Sequence, residues 1–520
     1  VSITTVVNEF ETDEAGAGAT AEPRDDFVGE RREEDGSLGL AEGPFHHYRR
    51  TVEDEPLGDG RHRVRETIEF ELAIPLWGGL FRPLVRRQFR RSEPPPPQLH
   101  EEEAARRAPW WSPPARLDAR AAPVLSRLCG LSMLTGYLGT TITQTMTYAA
   151  DEFGASKQAQ GTTLALVRVG VLLSLALSAA SDRRGRRRLL FVTAVGGAVA
   201  SALGALAPNL AVLGVTQTFS RAFATALALL IAVLAAEEMP AGGRAYAASV
   251  LAMTAALGAG LAVALLPLAD AAPWAWRTIY LVPLLALPWF LRVTRDLPES
   301  RRQVRPHGKA TMKGHRGRLL LLSAAGFFGL LFLAPVTQFQ NEFLRDEHGF
   351  SALKLTLFTF ATSTPAGIGI VVGGRLADVR GRRIIGAIGT IGGALALSIG
   401  YQLSGAGLWV AWLCGTVVAA MTVPALGVYG PELFPTALRG RANGLITLAG
   451  VGGSSVGLTI AGRLGDRWGQ VGPGIALLGL GPLVVAILVL TLYPETAHLE
   501  LEALNPEDAP GAAAIAPPML

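Results

Sequence analysis

Apolar and polar positions along this chain fall into blocks. From residue 125 onward, runs of about 20 apolar residues follow one another, the length a helix rising about 1.5 Å per residue needs to cross a hydrocarbon core of about 30 Å. Twelve spans are predicted, beginning near Leu125, Gly161, Leu189, Asn209, Ala245, Thr278, Leu319, Leu355, Ile384, Leu408, Gly444 and Gly474. The first 120 residues differ. Residues 1–60 hold 16 acidic and five basic residues with few apolar ones, a composition that predicts disorder. The stretch "RVRETIEFELAI" then alternates, with Ile68, Phe70, Leu72 and Ile74 on one face, and predicts a strand. "PLWGGLFRPLVRRQFRR" follows, apolar on one side and carrying Arg82, Arg86, Arg87, Arg90 and Arg91, as suits a helix lying on anionic lipid. Together these predict a small strand-and-helix piece near 62–92.

Composition agrees with a polytopic membrane protein: of 520 residues 49% are hydrophobic, 17% are charged and 60 are glycine. Cys129 and Cys414 both lie inside apolar blocks, so neither a disulfide framework nor a zinc site is expected. No metal, cofactor or nucleic-acid partner is expected either. No G-x-x-x-x-G-K-[ST] loop appears, and no His, Cys or carboxylate cluster stands at catalytic spacing, which argues against an enzyme and against a chain that itself hydrolyses ATP.

The net charge of +4 matters less than its placement. If both termini are cytoplasmic, the inside loops hold about 20 Lys and Arg and the outside loops about six, the asymmetry of a multi-pass plasma-membrane protein.

Four pairs of strings recur in order at an offset of 195 or 196 residues. "DEFGAS" at 151–156 returns as "DEHGFS" at 346–351, and Asp182 of "SDRRGRRR" matches Asp378 of "GRLADVRGRR". "EEMPAGGR" at 237–244 matches "ELFPTALR" at 432–439, and "LPES" at 297–300 matches "YPET" at 493–496. The chain therefore holds two six-span halves. Because six is even, both halves have the same orientation, the parallel-repeat plan of secondary transporters whose substrate site lies between the halves. The expected organisation is a cytoplasmic extension over 1–120, a first half over 124–300, a basic linker over 301–318, a second half over 319–496 and a cytoplasmic tail over 497–520. A third string, "GRLGDRWG" at 462–469, falls on the opposite face of the membrane and reads as an echo without the role of the other two.

"SAASDRRGRRR" and "GGRLADVRGRR" resemble the G-x-x-x-D-R-x-G-R-R signature of the major facilitator superfamily. "PELFPTALRGRANG", "LPESRR" and "YPETAHLELE" resemble loop signatures of its sugar-porter and metabolite–proton symporter branches. The resemblance covers about 124–500 and implies an all-α integral membrane fold of twelve transmembrane helices in two pseudo-symmetric halves. It departs at Ser178, where the signature has Gly, and at Arg184, an added charge; the sugar-porter signatures inside the spans are not evident.

The same loops have a physical reading. Asp378 ends one span, Arg382 and Arg383 follow in a tight turn, and Gly381 supplies the backbone freedom for it; Gly374 stands about one helical turn before Asp378. A carboxylate there can hold neighbouring helix ends together. Asp182, Arg183, Gly185 and Arg186 repeat the arrangement, and Glu237 with Arg244 and Glu432 with Arg439 offer further ion pairs. These residues are expected to form a cytoplasmic gate that latches one state. Arginines that serve only as topology anchors are the alternative.

Charges inside spans are expensive and usually face a cavity or partner. Arg168 and Arg221 lie at similar depth with few carboxylates near them in sequence, which favours an anionic solute; Arg221 also resembles the superfamily's span-four arginine. Arginines that bond backbone carbonyls are the alternative. Tyr137, Thr141 and Gln144 in span one and Gln338 and Asn341 in span seven are the polar cavity candidates, and Asp151, Glu152 and Glu342 the candidate proton carriers.

The expectation is a monomeric secondary transporter in the lipid bilayer that moves a small polar or anionic solute by alternating access. Proton coupling is implied by the resemblance. A solute sensor signalling through the extension, or an efflux pump of the same fold, is the alternative.

Overall fold

The computed structural model describes residues 3–90, 116–179, 186–240, 244–295, 297, 313–427 and 429–496. Strands β1 (Thr4–Asp13), β2 (Gly29–Arg32), β3 (Leu38–Glu42), β4 (Phe45–Gly58) and β5 (Arg61–Leu72) form one antiparallel sheet in the order β1-β5-β4-β3-β2. The disorder expected for 1–60 is thus corrected. A summed charge hides the pattern that decides the fold: the acidic residues are interleaved with apolar ones and paired across strands. Val6 and Phe10 of β1 face the core beside Val64 and Ile68 of β5. On the exposed side Glu11 pairs with Arg61 and Arg63, and Asp35 with Arg49.

Helix α1 (Glu14–Ala21) follows β1, and α2 (Gly78–Phe89) closes the sheet. Phe89 of α2 packs against Phe27, Phe45, Tyr48 and Phe70, leaving Arg86, Arg87 and Arg90 exposed. Below this aromatic layer lies a buried charge cluster. Arg50 is 1% exposed and contacts Glu30 at 2.7 Å and Glu66 at 3.1 Å. It also donates to the Thr20 and Glu22 carbonyls at 2.6 Å each. Burial and the Glu30 carboxylate together push the Tyr48 phenol well above its ordinary range.

The rest is helical. The first to sixth spans run Ala121–Phe153, Lys157–Ala179, Arg186–Ala205, Leu210–Glu238, Arg244–Ala264, and Arg277–Leu285 continued by Leu287–Arg295. The seventh to ninth run Arg316–Gln338, Ala352–Ser363 continued by Ala366–Arg380, and Arg382–Gly400. The last three run Gly405–Ala420, Thr436–Trp468, and Gly472–Leu478 continued by Leu480–Thr491. Among the described residues, nine helices are long and apolar enough to cross a membrane. The Thr-, Gln- and Tyr-rich run dilutes the first span, and the sixth is interrupted at Ala286.

The repeat reappears in the packing. A β-carbon on Gly258 would lie 1.8 Å from the Met133 carbonyl oxygen, and one on Gly453, 195 residues later, 2.0 Å from that of Phe327. The fifth span therefore presses on the first as the eleventh presses on the seventh, through residues small enough for backbones to meet.

The sheet domain docks on the first half. Leu76 N–H donates to Ser126 Oγ at 3.3 Å and Trp77 Nε1 to the Ser126 carbonyl at 3.2 Å. The end of the bundle that carries this domain and the basic loops is called the basic end below, and the opposite end the distal end.

Candidate transport pathway and its gates

The two halves meet along seams that are polar in their distal part. Thr143 Oγ1 of the first span donates to Gln338 Oε1 of the seventh at 2.8 Å. One turn on, Asn341 Nδ2 donates to both the carbonyl and Oε1 of Gln144 at 2.9 Å. Thr356 of the eighth span donates to the Val263 carbonyl of the fifth at 2.9 Å.

Further out, Arg345 pairs with Asp151 at 3.0 Å, and its guanidinium lies 3.9 Å from the centre of the Tyr148 ring. Lys157 Nζ stands 3.6 Å from Glu347 and 4.0 Å from Glu342. These hydrogen bonds and ion pairs between the halves lie between mid-bundle and the distal end. The distal ends of the two halves are held together by these contacts.

The sequence-selected polar residues divide into two groups. Gln144, Gln338 and Asn341 come together on the seam. Tyr137 and Thr141 do not: the Tyr137 hydroxyl donates to the Ile279 carbonyl at 2.7 Å and Thr141 to the Tyr137 carbonyl at 2.8 Å, both inside the first half. Arg221 Nη1 donates to the Gly139 carbonyl at 2.8 Å, one of five donors on that side chain. The second span crosses the fourth at Gly170, where a β-carbon would lie 3.1 Å from Arg221 Cβ. Arg168, half-buried, is two residues from this crossing. Among the described residues neither guanidinium has a carboxylate partner.

Of the carboxylates, Asp151 is held by Arg345, and Glu152 by Arg277 at 2.9 Å and Trp276 Nε1 at 2.6 Å. Glu342 is 2% exposed.

A cavity of about 620 Å³ lies within the second half, among the seventh, ninth, tenth, eleventh and twelfth helices. Its wall is largely apolar, with Phe332 and Leu330 beside Thr390, Thr422, Asn443 and Tyr493. None of the sequence-selected residues lines it. Leucine and glycine faces carry no chemical flag, so periodicity alone had no reason to single them out.

At the basic end of the second half, Gly381 has φ 95° and links the eighth span to the ninth. Glu495 of the "YPET" string accepts from the Arg382 N–H at 3.0 Å and the Arg383 N–H at 3.2 Å, satisfying donors that a helix start leaves free. The Arg382 guanidinium contacts Glu432 and, at 2.8 Å, Thr496 Oγ1. Arg383 Nε reaches the Val489 carbonyl at 3.3 Å. Gly374 packs on Pro424, and Glu238, next to Glu237, pairs with Arg120 at 3.2 Å. Asp182, Arg183 and Gly185 lie outside the described residues, as do the side chains of Arg186, Arg244, Asp378 and Arg439.

Glu495, Lys157, Arg277 and Arg345 were not selected from the sequence, although three of them lie in or next to the repeated strings. Gly381→Ala places a β-carbon 2.7 Å from Glu495 Oε2 on a backbone that side chains avoid. A loss of about 1–3 kcal/mol is expected, read as a lower melting temperature of the solubilised protein.

The sequence profile described as Major Facilitator Superfamily matches residues 128–458 and 319–515. The enterobactin exporter EntS of Shigella flexneri is 29% identical over 224 residues, 42% of this chain and 50% of that protein. The chain thus spans about half the length of the enterobactin exporters it matches. A Haemophilus influenzae protein named for metabolite transport is 27% identical over 343 residues, 61% of this chain and 82% of that protein. Among solved structures, the inward-open xylose transporter XylE from E. coli superposes with a TM-score of 0.61 at 19% identity, covering 74% of this chain and 98% of that one. The nucleoside transporter NupG gives 0.59 at 12%, covering 71% and 100%.

Proposed function

The chain belongs to the major facilitator superfamily, and from that premise we propose that it moves an organic solute across the plasma membrane by alternating access, with the basic end in the cytoplasm. The superfamily consists of membrane transporters and not enzymes. The observation that carries the reading is the distal seam: two repeat-related halves, sealed by contacts that exist only while their distal ends touch. The state described is therefore closed to the outside. In the other state the basic-end residues Asp182, Arg183, Gly185, Arg186, Asp378, Arg382 and Arg383 take over as the gate.

Arg168 and Arg221, cationic and without carboxylate partners among the described residues, support an anionic group on the solute. Separately, the largely apolar cavity of about 620 Å³ within the second half supports a sizeable carbon framework on the solute. Glu342, buried in the seam beside Lys157, is the proton carrier: the lysine belongs to the first half and leaves it when the distal ends part. Similarity to the enterobactin exporters supports outward transport as a second reading of direction.

The test is flux in proteoliposomes with an imposed pH gradient, across a panel of labelled organic acids and neutral analogues. Arg221→Gln is expected to lower flux of the acids at least about tenfold, the effect of one lost charge-assisted contact of about 1.5–3 kcal/mol, and to spare the neutral analogues. Glu342→Gln is expected to abolish gradient stimulation while solute exchange continues. Gradient stimulation that survives Glu342→Gln removes Glu342 from the mechanism.

A further inference from the structure

The string "GRLGDRWG", expected to be an idle echo, has a defined contact. Asp466 Oδ1 accepts from the Lys157 N–H at 2.8 Å and Oδ2 from the Gln158 N–H at 2.9 Å. Lys157 opens the second span. A carboxylate near the end of the eleventh helix thus caps a helix of the other half. The same contact occurs a second time in the reverse direction. Asp270, at the distal end of the fifth span's 3-10 extension (Leu266–Asp270), accepts from the Ala352 N–H at 2.7 Å, and Ala352 opens the eighth span. Asp270 and Asp466 are 196 residues apart, and the helices they cap begin 195 apart. Each half therefore caps the other once, at the two seams related by the repeat.

The first N–H groups of a helix lack partners within it, and the helix dipole favours a negative charge there. Both caps need the distal ends to be together, so they stabilise the closed state and no other. The helix starts do not depend on them for their existence. Ser156 Oγ accepts from the Ala159 N–H at 3.2 Å and Ser351 Oγ from the Lys354 N–H at 3.4 Å, local caps that travel with their own helices. Around the Asp466 cap, Lys157 Nζ also donates to the Gly469 carbonyl at 3.2 Å, so the lysine is tethered at backbone and side chain alike.

We infer that Asp270 and Asp466 are paired positioning residues that set how far the transport equilibrium lies toward the outside-closed state. The inference rests on the alternating-access reading above, but its readout is conformational. Spin labels go on Leu206→Cys and Ala406→Cys, exposed distal positions on the first and second halves, in full-length protein in nanodiscs with Cys129 and Cys414 replaced. Dipolar distances then report the open-to-closed ratio.

Asp270→Ala and Asp466→Ala are each expected to raise that ratio about fivefold, the effect of one lost helix cap, and the double variant about 25-fold, because separated sites add. Asp270→Asn keeps one accepting oxygen and should stay near the parent. Asp466→Asn loses one of two contacts and should fall between parent and Ala. Ala352→Pro removes the donor instead of the acceptor, at a first helical position where proline is tolerated, and should match Asp270→Ala. With proline in place, Asp270→Ala should then add nothing.

Unchanged distances in a folded double variant overturn the inference, as does a drop in melting temperature without a distance shift. Distances that shift in a protein that moves no solute uphold the caps and count against the transport reading. Unchanged distances with intact transport do the reverse.

Discussion

Replacing Arg50 with Met should unfold the amino-terminal sheet. Arg50 holds Glu30 and Glu66, which are 9% and 0% exposed, and it also satisfies two backbone carbonyls. Its removal leaves two carboxylates facing one another out of water, and breaking a buried pair from one side costs about 3–5 kcal/mol. A domain with a total stability of about 5–15 kcal/mol loses most of its margin at the lower end of that range. Limited proteolysis of the solubilised protein is the measurement: cleavage within residues 3–90 should rise sharply while the helical core resists. A companion variant separates charge from volume. Arg50→Met with Glu30→Leu and Glu66→Leu replaces the whole cluster by apolar groups, and protection should largely return, since a buried ion cluster is often no more stable than a packed apolar one. Protection unchanged in Arg50→Met alone would mean that this cluster does not hold the sheet.

Gly161→Leu should stop transport with the fold intact. A β-carbon at Gly161 would lie 2.3 Å from the Leu458 carbonyl oxygen and 3.3 Å from the Phe339 ring, both across the seam between the halves. Overpacking costs about 1–3 kcal/mol, and here it falls only on the state in which the seam is shut. At about 1.4 kcal/mol per decade, the closed population drops by about 5- to 150-fold. Within one half the same substitution would damage the fold; on a seam that opens in the cycle it has an escape. In a Cys129- and Cys414-free background, a cysteine at Thr143 should react rapidly with a membrane-impermeant thiol reagent from the distal side in Gly161→Leu and slowly in the parent. Equal rates would place Thr143 outside the moving seam.

The spans were legible because apolar length is a direct physical requirement, and the repeat because it preserves turn chemistry. The Gly154 and Gly349 turns of the two matched strings both take positive φ, 60° and 66°, and Ser156 and Ser351 both cap the helix that follows. Span starts differ most where charge interrupts an apolar run: the eleventh helix begins at Thr436, ahead of the Arg439 to Arg441 stretch, and not near Gly444. The sheet was misread because a charge total discards period two. In "TTVVNEFETD" the inward positions Val6, Asn8 and Phe10 are regular, and Asn8 is buried against Glu66. The cross-half caps were illegible for a different reason. Their donors are backbone N–H groups, identical at every residue but proline, so nothing in the sequence marks which helix an aspartate will reach.

The attachment of the sheet domain has a further consequence. Its described anchors, at Ser126 of the first span and along the apolar face shared with Tyr246 and Val250 of the fifth, belong to one half alone. It is a passenger of that half and a handle on it. A binder that grips the sheet and also reaches the second half would act as a brake applied from the basic end, restraining the two halves without entering the space between them.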